Sequence, residues 1–193
     1  MKMIPLLAGI GTAVLLAACI PSVNPFYTSR DIAWEPRLLG EWQSNAESKD
    51  SIAWKFEPGE GQTYKVTLTN NEGKSGEFKA CLFRLKEHYF IDLLPTNWDF
   101  AASQIDHVGA ALFPGHLLVH VPQVGTELKL AFFDFEWLEK YLDKNQRSLA
   151  FHKEDKHILL TAGTRELQSF VLKHLGQDQL FQKAESYVRK AKN

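Results

Sequence analysis

The chain has 193 residues, which is enough for one domain with its own apolar core. A hydrophobic content of 45% and a charged content of 23% are typical of a globular protein and exclude a disordered one. The formal net charge is −1, so no strong field attracts nucleic acid, and no nucleic-acid partner is expected.

The first residues have the composition of an export signal. Lys2 gives a positive start, and residues 4–18 are apolar or small, interrupted by Pro5 and two glycines. The run is shorter than the ~20 apolar residues that a membrane-spanning helix needs. The pattern therefore predicts a signal peptide over 1–18, with an uncleaved anchor helix as the alternative.

The end of this segment, Leu16-Ala17-Ala18-Cys19, resembles a bacterial lipobox. The resemblance implies that Cys19 Sγ receives a diacylglycerol, that cleavage follows before Cys19, and that the new amine is acylated. Several acyl chains on one residue give stable membrane anchoring. The next residue, Ile20, is not acidic, which is similar to lipoproteins sent to the bacterial outer membrane. We therefore expect a lipid-anchored protein on the periplasmic face of that membrane.

The second cysteine, Cys81, has no partner if Cys19 carries a lipid. Cys81 lies in the apolar, strand-like run FKACLFRL. This position favours packing in the core over a reactive thiol.

The mature chain begins with a segment that cannot form a regular helix, because Pro21 and Pro25 interrupt it. Residues 19–36 are therefore expected to form a lipidated, extended tether, and residues 37–193 the folded domain. Pro36 suits the start of a single helical turn and Gly40 its end.

Alternating apolar residues predict half-buried antiparallel strands in the next part of the chain. In SIAWKFE, Ile52, Trp54 and Phe56 share one face, and TYKVTLT repeats the pattern from Tyr64. Further strand-like stretches are GEFKACLFRL, HYFIDLL, HLLVHVPQV, ELKLAFFDF, RSLAFHK and KHILLTAG. The segment from Pro95 to Gly115 breaks this series, either as a lid or by hiding a strand near 104–107.

Helical spacing appears in three places. EWLEKYLDKN places Trp137 and Tyr141 on one apolar face, and a second helix begins at Gly163 or Thr164. The apolar residues of 180–188 predict a further amphipathic helix. The expected fold is mainly β (α+β), an antiparallel eight- or nine-stranded barrel or sandwich with C-terminal helices.

The motif Gly40-Glu41-Trp42 after a single helical turn resembles the opening of lipocalin-type barrels. The resemblance implies that Gly40 and Trp42 close one end of the barrel and that a later arginine stacks on the tryptophan. Three arginines are candidates for this contact: Arg84, Arg147 and Arg165. The stretches NPFYTSRDIAWEPRLLGEW and TAGTRELQSFVLKHL also resemble bacterial lipoproteins without a known activity.

The sequence contains no GxSxG, HExxH, P-loop or GxGxxG motif, so no enzymatic activity, catalytic residue, metal or cofactor is expected. His116 and His120 are four strand residues apart, roughly 13 Å, which is too far to bind one ion. His152 and His157 flank KEDK and could lie opposite each other across the last predicted hairpin, but they lack a fixed third ligand. Asp92, in an apolar strand, is either outward-facing or buried and paired.

Two functions follow from this reading. The first is binding of a small apolar ligand or lipid in the barrel, lined by Trp54, Phe56, Tyr64 and Phe83; the competing interpretation is that these rings only fill the core. The second is an accessory lipoprotein of an envelope assembly. Its protein partner would dock on the C-terminal helices or on the segment from Pro95 to Gly115.

Overall fold

The computed structural model describes residues 20–44, 51–96, 114–176 and 179–190. The predicted signal peptide over 1–18 and the predicted lipidation site Cys19 lie outside these ranges. So do residues 97–113, the part of the segment from Pro95 to Gly115 that was expected to form a lid or to hide a strand near 104–107.

The described residues form eleven strands, two α-helices and one 3-10 turn. The 3-10 turn spans Pro36–Leu38, as predicted. The helices are α1 (Phe135–Lys144) and α2 (Thr164–His174). The strands are β1 (Pro21–Ser22), β2 (Gly40–Ser44), β3 (Ile52–Pro58), β4 (Tyr64–Asn70), β5 (Ser75–Leu85), β6 (His88–Pro95), β7 (His116–Val124), β8 (Glu127–Phe132), β9 (Phe151–Glu154), β10 (His157–Leu160) and β11 (Glu185–Arg189).

Eight of these strands close into an antiparallel barrel, which confirms the predicted fold class. Strands β2 to β8 pair in sequence, each with the next. Strand β11 then pairs with both β8 and β2 and completes the closure. The barrel is therefore an up-and-down barrel, and α1, β9, β10 and α2 form an insertion between its seventh and eighth strands.

The prediction of an amphipathic helix over 180–188 is wrong, because this stretch contains β11. The edges of β2 and β8 face each other across one strand width, and β11 supplies the hydrogen bonds that both edges need. Its side chains alternate as in a strand: Tyr187 is 3% exposed, whereas Val188 is 41% exposed. A helix would have placed these two side chains on the same buried face.

The other two predicted helices are present. Asp134 caps α1 by accepting a hydrogen bond from Trp137 N at 2.8 Å, and Leu138 and Leu142 are buried. At the start of α2, the Glu166 carboxylate accepts a hydrogen bond from Gly163 N at 3.0 Å. No helix in the described part of the chain is long and apolar enough to cross a membrane.

Two separate apolar cores hold the fold together. The inner core lies within the barrel. The outer core lies between the outside of β5, β6 and β7 and the inserted helices and hairpin. Strand β5 contributes to both, because four successive residues, 80–83, are buried on alternating faces.

The segment predicted as an extended tether packs along the barrel instead of extending away from it. Strand β1 pairs with β7 and with β10. Ile20 is 3% exposed and Phe26 is 1% exposed, and both belong to the outer core. Because burial of these apolar side chains is favourable, the packed position of the segment is more stable than an extended, exposed one.

Candidate functional site in the barrel

One end of the barrel is closed by the 3-10 turn and by Trp42. The Trp42 side chain is fully buried in the inner core, and its Nε1 donates a hydrogen bond to the Leu38 carbonyl at 2.8 Å. Trp42 therefore lies where the glycine–tryptophan motif places it, on the floor of the barrel.

The arginine that stacks on Trp42 is Arg189, not Arg84, Arg147 or Arg165. Its guanidinium carbon lies 4.3 Å from the centroid of the Trp42 ring. The guanidinium also donates hydrogen bonds to the carbonyls of Leu39 and Arg37 on the 3-10 turn. Sequence reasoning missed Arg189 because the helix predicted over 180–188 removed this part of the chain from the barrel.

Gly40 is required at the junction between the 3-10 turn and β2. Its φ of +122° is a conformation that side-chain-bearing residues rarely adopt. A Cβ at this position would also collide with the Arg189 guanidinium. The motif glycine therefore makes room for the arginine that covers the barrel floor.

Aromatic contacts complete the closed end. The Trp34 ring stacks on the Tyr64 ring with centroids 4.4 Å apart and an interplanar angle of 11°. The Tyr64 hydroxyl accepts a hydrogen bond from Glu35 N at 2.8 Å. Burial raises the pKa of Tyr64 to about 12, so the phenol stays protonated. These contacts fasten the chain before the 3-10 turn across the end of the barrel.

Three of the four predicted ligand contacts lie together in the inner core. Trp54 stacks on Phe56 with centroids 5.8 Å apart, and Phe56 packs edge-on against Tyr64 at 6.1 Å. All three are at most 1% exposed, so they fill this half of the barrel. The fourth residue, Phe83, lies in the outer core and stacks on Phe90 at 5.5 Å.

The opposite half of the barrel has a different interior. Here five inward-facing apolar side chains from five strands are only partly buried. We call this group the mouth; it consists of Ile52, Leu68, Phe78, Leu117 and Phe132. Each has the same strand parity as fully buried residues of the inner core, so it faces the lumen. Sequence alternation could have predicted these positions, but not that they are less completely buried than the rest of the inner core.

A polar group lies beside the mouth. The Tyr187 hydroxyl donates a hydrogen bond to the Glu185 carboxylate at 2.6 Å. Burial and this carboxylate raise the pKa of Tyr187 well above its usual value near 10. The Trp54 ring packs edge-on against the Tyr187 ring, with centroids 6.3 Å apart, and lies tilted against the Phe132 ring, with centroids 6.2 Å apart.

Asp92 is buried and paired, one of the two arrangements that its sequence context allowed. It is 2% exposed, and it accepts hydrogen bonds from Phe26 N at 2.9 Å. Its second oxygen lies 2.6 Å from His116 Nδ1. The side chain faces away from the lumen and fastens the N-terminal segment to the outside of the barrel.

Three further groups that the sequence singled out are Cys81, His152 and His157. Burial raises the pKa of the free thiol of Cys81 to about 12, which keeps it protonated and packed in the core. Within the last hairpin, His152 pairs with Leu159 and His157 with Glu154, so the two histidines are not opposite each other. No group of three or more potential metal ligands occurs among the residues that the structure describes.

A second concave feature lies outside the barrel, between α1 and α2. It is an open groove of about 300 Å³, with Tyr141 and Phe170 among its lining residues. These two rings pack edge-on at 5.6 Å. Arg165 and Lys173 also line the groove and make no ion pair within the described ranges.

The chain was compared with protein-family models, with curated proteins and with solved structures, and none of the three comparisons gave a match. The described residues thus offer two concave or partly exposed apolar features, the mouth of the barrel and the groove between α1 and α2.

Proposed function

We propose that the protein is a lipid-anchored lipoprotein of the bacterial outer membrane whose barrel binds one small apolar ligand or lipid at the mouth. The observation that carries the proposal is that the large rings of the closed half, Trp42, Trp54, Phe56 and Tyr64, are fully buried, whereas one inward-facing apolar side chain from each of five strands is only partly buried at the mouth. Clustered apolar side chains that remain accessible to water are typical of binding surfaces.

The size of the barrel limits the ligand. An eight-stranded barrel leaves space for side chains or for one small ligand. Trp54, Phe56 and Tyr64 already occupy the closed half, so the ligand would lie above them and contact the mouth. Trp54 would then form the bottom of the site, because its ring contacts Phe132.

The ligand proposal is tested by titrating the chain with the neutral fluorescent probe N-phenyl-1-naphthylamine. The chain carries Cys19→Ser so that no acyl group competes with the probe. We expect saturable binding that is lost in Phe78→Lys, since a lysine would place a charge in the apolar mouth. Val188→Lys is the matched control, because Val188 is 41% exposed on the outside of the barrel. Equal binding by all three proteins, or no binding by any, would contradict the proposal.

The anchor is tested separately by mass spectrometry of the protein isolated from bacterial membranes. The lipobox resemblance predicts a mature chain that begins at Cys19 and carries fatty acyl groups. Detection of the first 18 residues still attached, with no acyl group, would contradict the anchor and the assigned location.

The second candidate function is an accessory lipoprotein that binds another envelope protein. The groove between α1 and α2 favours it, because two cations without described ion-pair partners, Arg165 and Lys173, flank an aromatic surface there. Such a groove would take an acidic, partly apolar segment. A stoichiometric partner recovered with the wild-type protein, but not with Arg165→Glu, would support this function over ligand binding.

A further inference from the structure

Resting on the proposed function, and on its lipid anchor in particular, we infer that the end of the barrel that carries the mouth lies against the membrane and that the ligand is an acyl chain of a membrane phospholipid. The observation that carries this inference is the position at which the N-terminal segment joins the barrel. The ligand would then reach the mouth from the bilayer and not from the surrounding water.

The N-terminal segment joins the barrel at the rim of the mouth. Leu117, the mouth residue of β7, pairs with Leu93 of β6 on one side and with Pro21 of β1 on the other. Strand β8 also runs beside β7, and its last residue, Phe132, pairs with Val119. Strand β1 therefore takes the place beside β7 that β8 leaves free at the mouth end of the barrel.

The segment is fixed at this rim by burial and by hydrogen bonds. Ile20 is 3% exposed and Ser22 is fully buried. Val23 N donates a hydrogen bond to the Leu160 carbonyl of β10 at 2.8 Å. Because successive Cα atoms are about 3.8 Å apart, the residue before Ile20 is within about 8 Å of Pro21 in any backbone conformation. A lipid on that residue would therefore hold the rim of the mouth close to the bilayer surface.

The closed end of the barrel is distant from this attachment point. Strand β3 runs from Ile52 at the mouth to Pro58 at the closed end. Its seven residues span about 20 Å along the strand, at about 3.3 Å per residue. An anchor at the rim therefore places the mouth toward the bilayer and the closed end, with Trp42 and Arg189, toward water.

Contact with the membrane at the mouth determines which apolar ligand the site meets. Phospholipids are almost absent from water because their apolar chains are poorly hydrated, so a site held at the bilayer surface meets acyl chains at a high effective concentration. The closed half of the lumen is filled, so the mouth has room for one narrow apolar body. An acyl chain fits such a site, since it needs no hydrogen-bonding partner among apolar side chains.

The orientation is tested on the lipidated protein in phosphatidylcholine vesicles that contain a nitroxide-labelled lipid. A fluorophore is attached to Lys183→Cys, next to Gln182, whose N donates to the Phe132 carbonyl at the mouth, or to Glu60→Cys, in the turn between β3 and β4 at the closed end. Cys81 does not take up the label, because it is buried. We expect loss of most of the fluorescence at Lys183→Cys and little loss at Glu60→Cys.

A flexible linker of twelve glycine and serine residues between Cys19 and Ile20 removes the constraint and keeps the anchor. Such a linker has a root-mean-square length of about 20 Å, comparable to the length of the barrel. The difference between the two labels should therefore disappear. The matched control is the same insertion after Gly61, in an exposed turn where no atom lies within 4 Å of an added Cβ. It should leave the quenching at Lys183→Cys unchanged.

The ligand is tested in the same vesicles with a phosphatidylcholine that carries a photoreactive diazirine at the end of one acyl chain. After illumination, mass spectrometry should find adducts on the peptides that contain Leu68 and Phe78 of the mouth. Most of these adducts should be lost in Phe78→Lys and in the variant with the linker before Ile20. Val188→Lys, on the outside of the barrel, should keep them.

Equal quenching at the two labels, or a difference that the linker before Ile20 leaves unchanged, would overturn the orientation. Absence of adducts at the mouth would overturn the assignment of the ligand. In either case, saturable binding of N-phenyl-1-naphthylamine by the Cys19→Ser chain would leave the barrel site of the proposed function standing. A mature protein without acyl groups would overturn both the anchor and this inference.

Discussion

At the scale of single residues, the closed end of the barrel depends on the close packing of Arg189 against Gly40. The glycine has no side chain where the guanidinium lies, and the guanidinium in turn covers Trp42. The two positions are far apart in sequence, so the need for a glycine at 40 is understood only from the position of Arg189 in the folded structure.

Replacement of Gly40 by alanine should therefore destabilise the protein. The alanine would hold a φ of +122° and displace Arg189, and we expect a loss of about 2–4 kcal/mol in the free energy of unfolding. Gly125→Ala is the control, because no atom lies within 4 Å of its added Cβ. Urea unfolding of both variants measures the difference. Similar stabilities would show that the space at Gly40 has no structural role.

His120 gives the fold a defined pH dependence. Its ring packs between Phe90 and Phe181, each with a centroid 5.1 Å away. Burial, and to a lesser extent the charge of His88, lowers the pKa of His120 from 6.5 to about 4. Between these two pH values the unfolded chain binds a proton that the folded chain does not. The contribution of neutral His120 to the free energy of unfolding is therefore complete above pH 6.5 and decreases as the pH falls toward 4.

The measurement is urea unfolding at several pH values between 7 and 4 for the wild-type protein and for His120→Phe. The wild-type protein should lose up to about 1.4 kcal/mol more per pH unit than the variant, the value for one proton. His157→Gln, at an exposed position, should behave like the wild type. Parallel pH profiles for the wild type and His120→Phe would refute the assignment.

The sequence correctly predicts which side chains face the barrel interior where only one face of a strand is buried. It does not do so where both faces are buried. Polar residues alternate with Trp54, Phe56 and Tyr64, and this alternation correctly predicts that the three rings share one interior. The prediction that Phe83 lies in the same interior is wrong, because β5 is buried on both faces at 80–83 and Phe83 belongs to the outer core. Alternation identifies two faces of such a strand, yet it cannot tell which one faces the lumen.

At the scale of elements, β11 shows how tertiary pairing overrides a local pattern. The apolar residues of 180–188 fit a helical spacing about as well as a strand alternation, and the stretch is too short for periodicity to decide. The open edges of β2 and β8 decide it, because both gain hydrogen bonds from a strand between them. The local sequence contains no information about unpaired strand edges elsewhere in the fold.

Two substitutions separate the strand from the helix. In β11, Tyr187 is inside the barrel and Val188 is outside, whereas a helix would bury both. Tyr187→Ser should cost about 3–5 kcal/mol, as for loss of a buried aromatic ring, while Val188→Ser should stay within about 0.5–1 kcal/mol of the wild type. Chemical unfolding measures both. Equal, large losses would favour the helix.

At the scale of the whole molecule, the N-terminal segment joins the barrel to its insertion. Asp92 on the barrel accepts from Phe26 N, and the Phe26 carbonyl accepts from the Gln168 side chain of α2 at 3.0 Å. Thr164 at the start of α2 donates to the Pro25 carbonyl at 2.8 Å. The segment expected to be a tether is thus a structural connection, and a lipid on Cys19 would be one residue away from the buried Ile20.

Asp92→Asn tests this connection. The amide removes the negative charge and keeps both partners only if His116 changes to the tautomer without a proton on Nδ1, so we expect a loss of about 1–3 kcal/mol in unfolding free energy. Hydrogen exchange should show faster exchange of the Phe26 amide. Asp155→Asn, in an exposed turn with a φ of 51° that asparagine tolerates, is the control. Unchanged exchange at Phe26 would contradict the role assigned to Asp92.

The most direct test of the proposed function is a nuclear magnetic resonance titration of the Cys19→Ser chain with N-phenyl-1-naphthylamine. The account predicts saturable chemical-shift changes confined to residues that line the mouth, namely Ile52, Leu68, Phe78, Leu117 and Phe132. Resonances of Arg165 and Lys173 in the groove between α1 and α2 should not move. Changes limited to that groove, or no saturable change at all, would contradict a ligand site in the barrel.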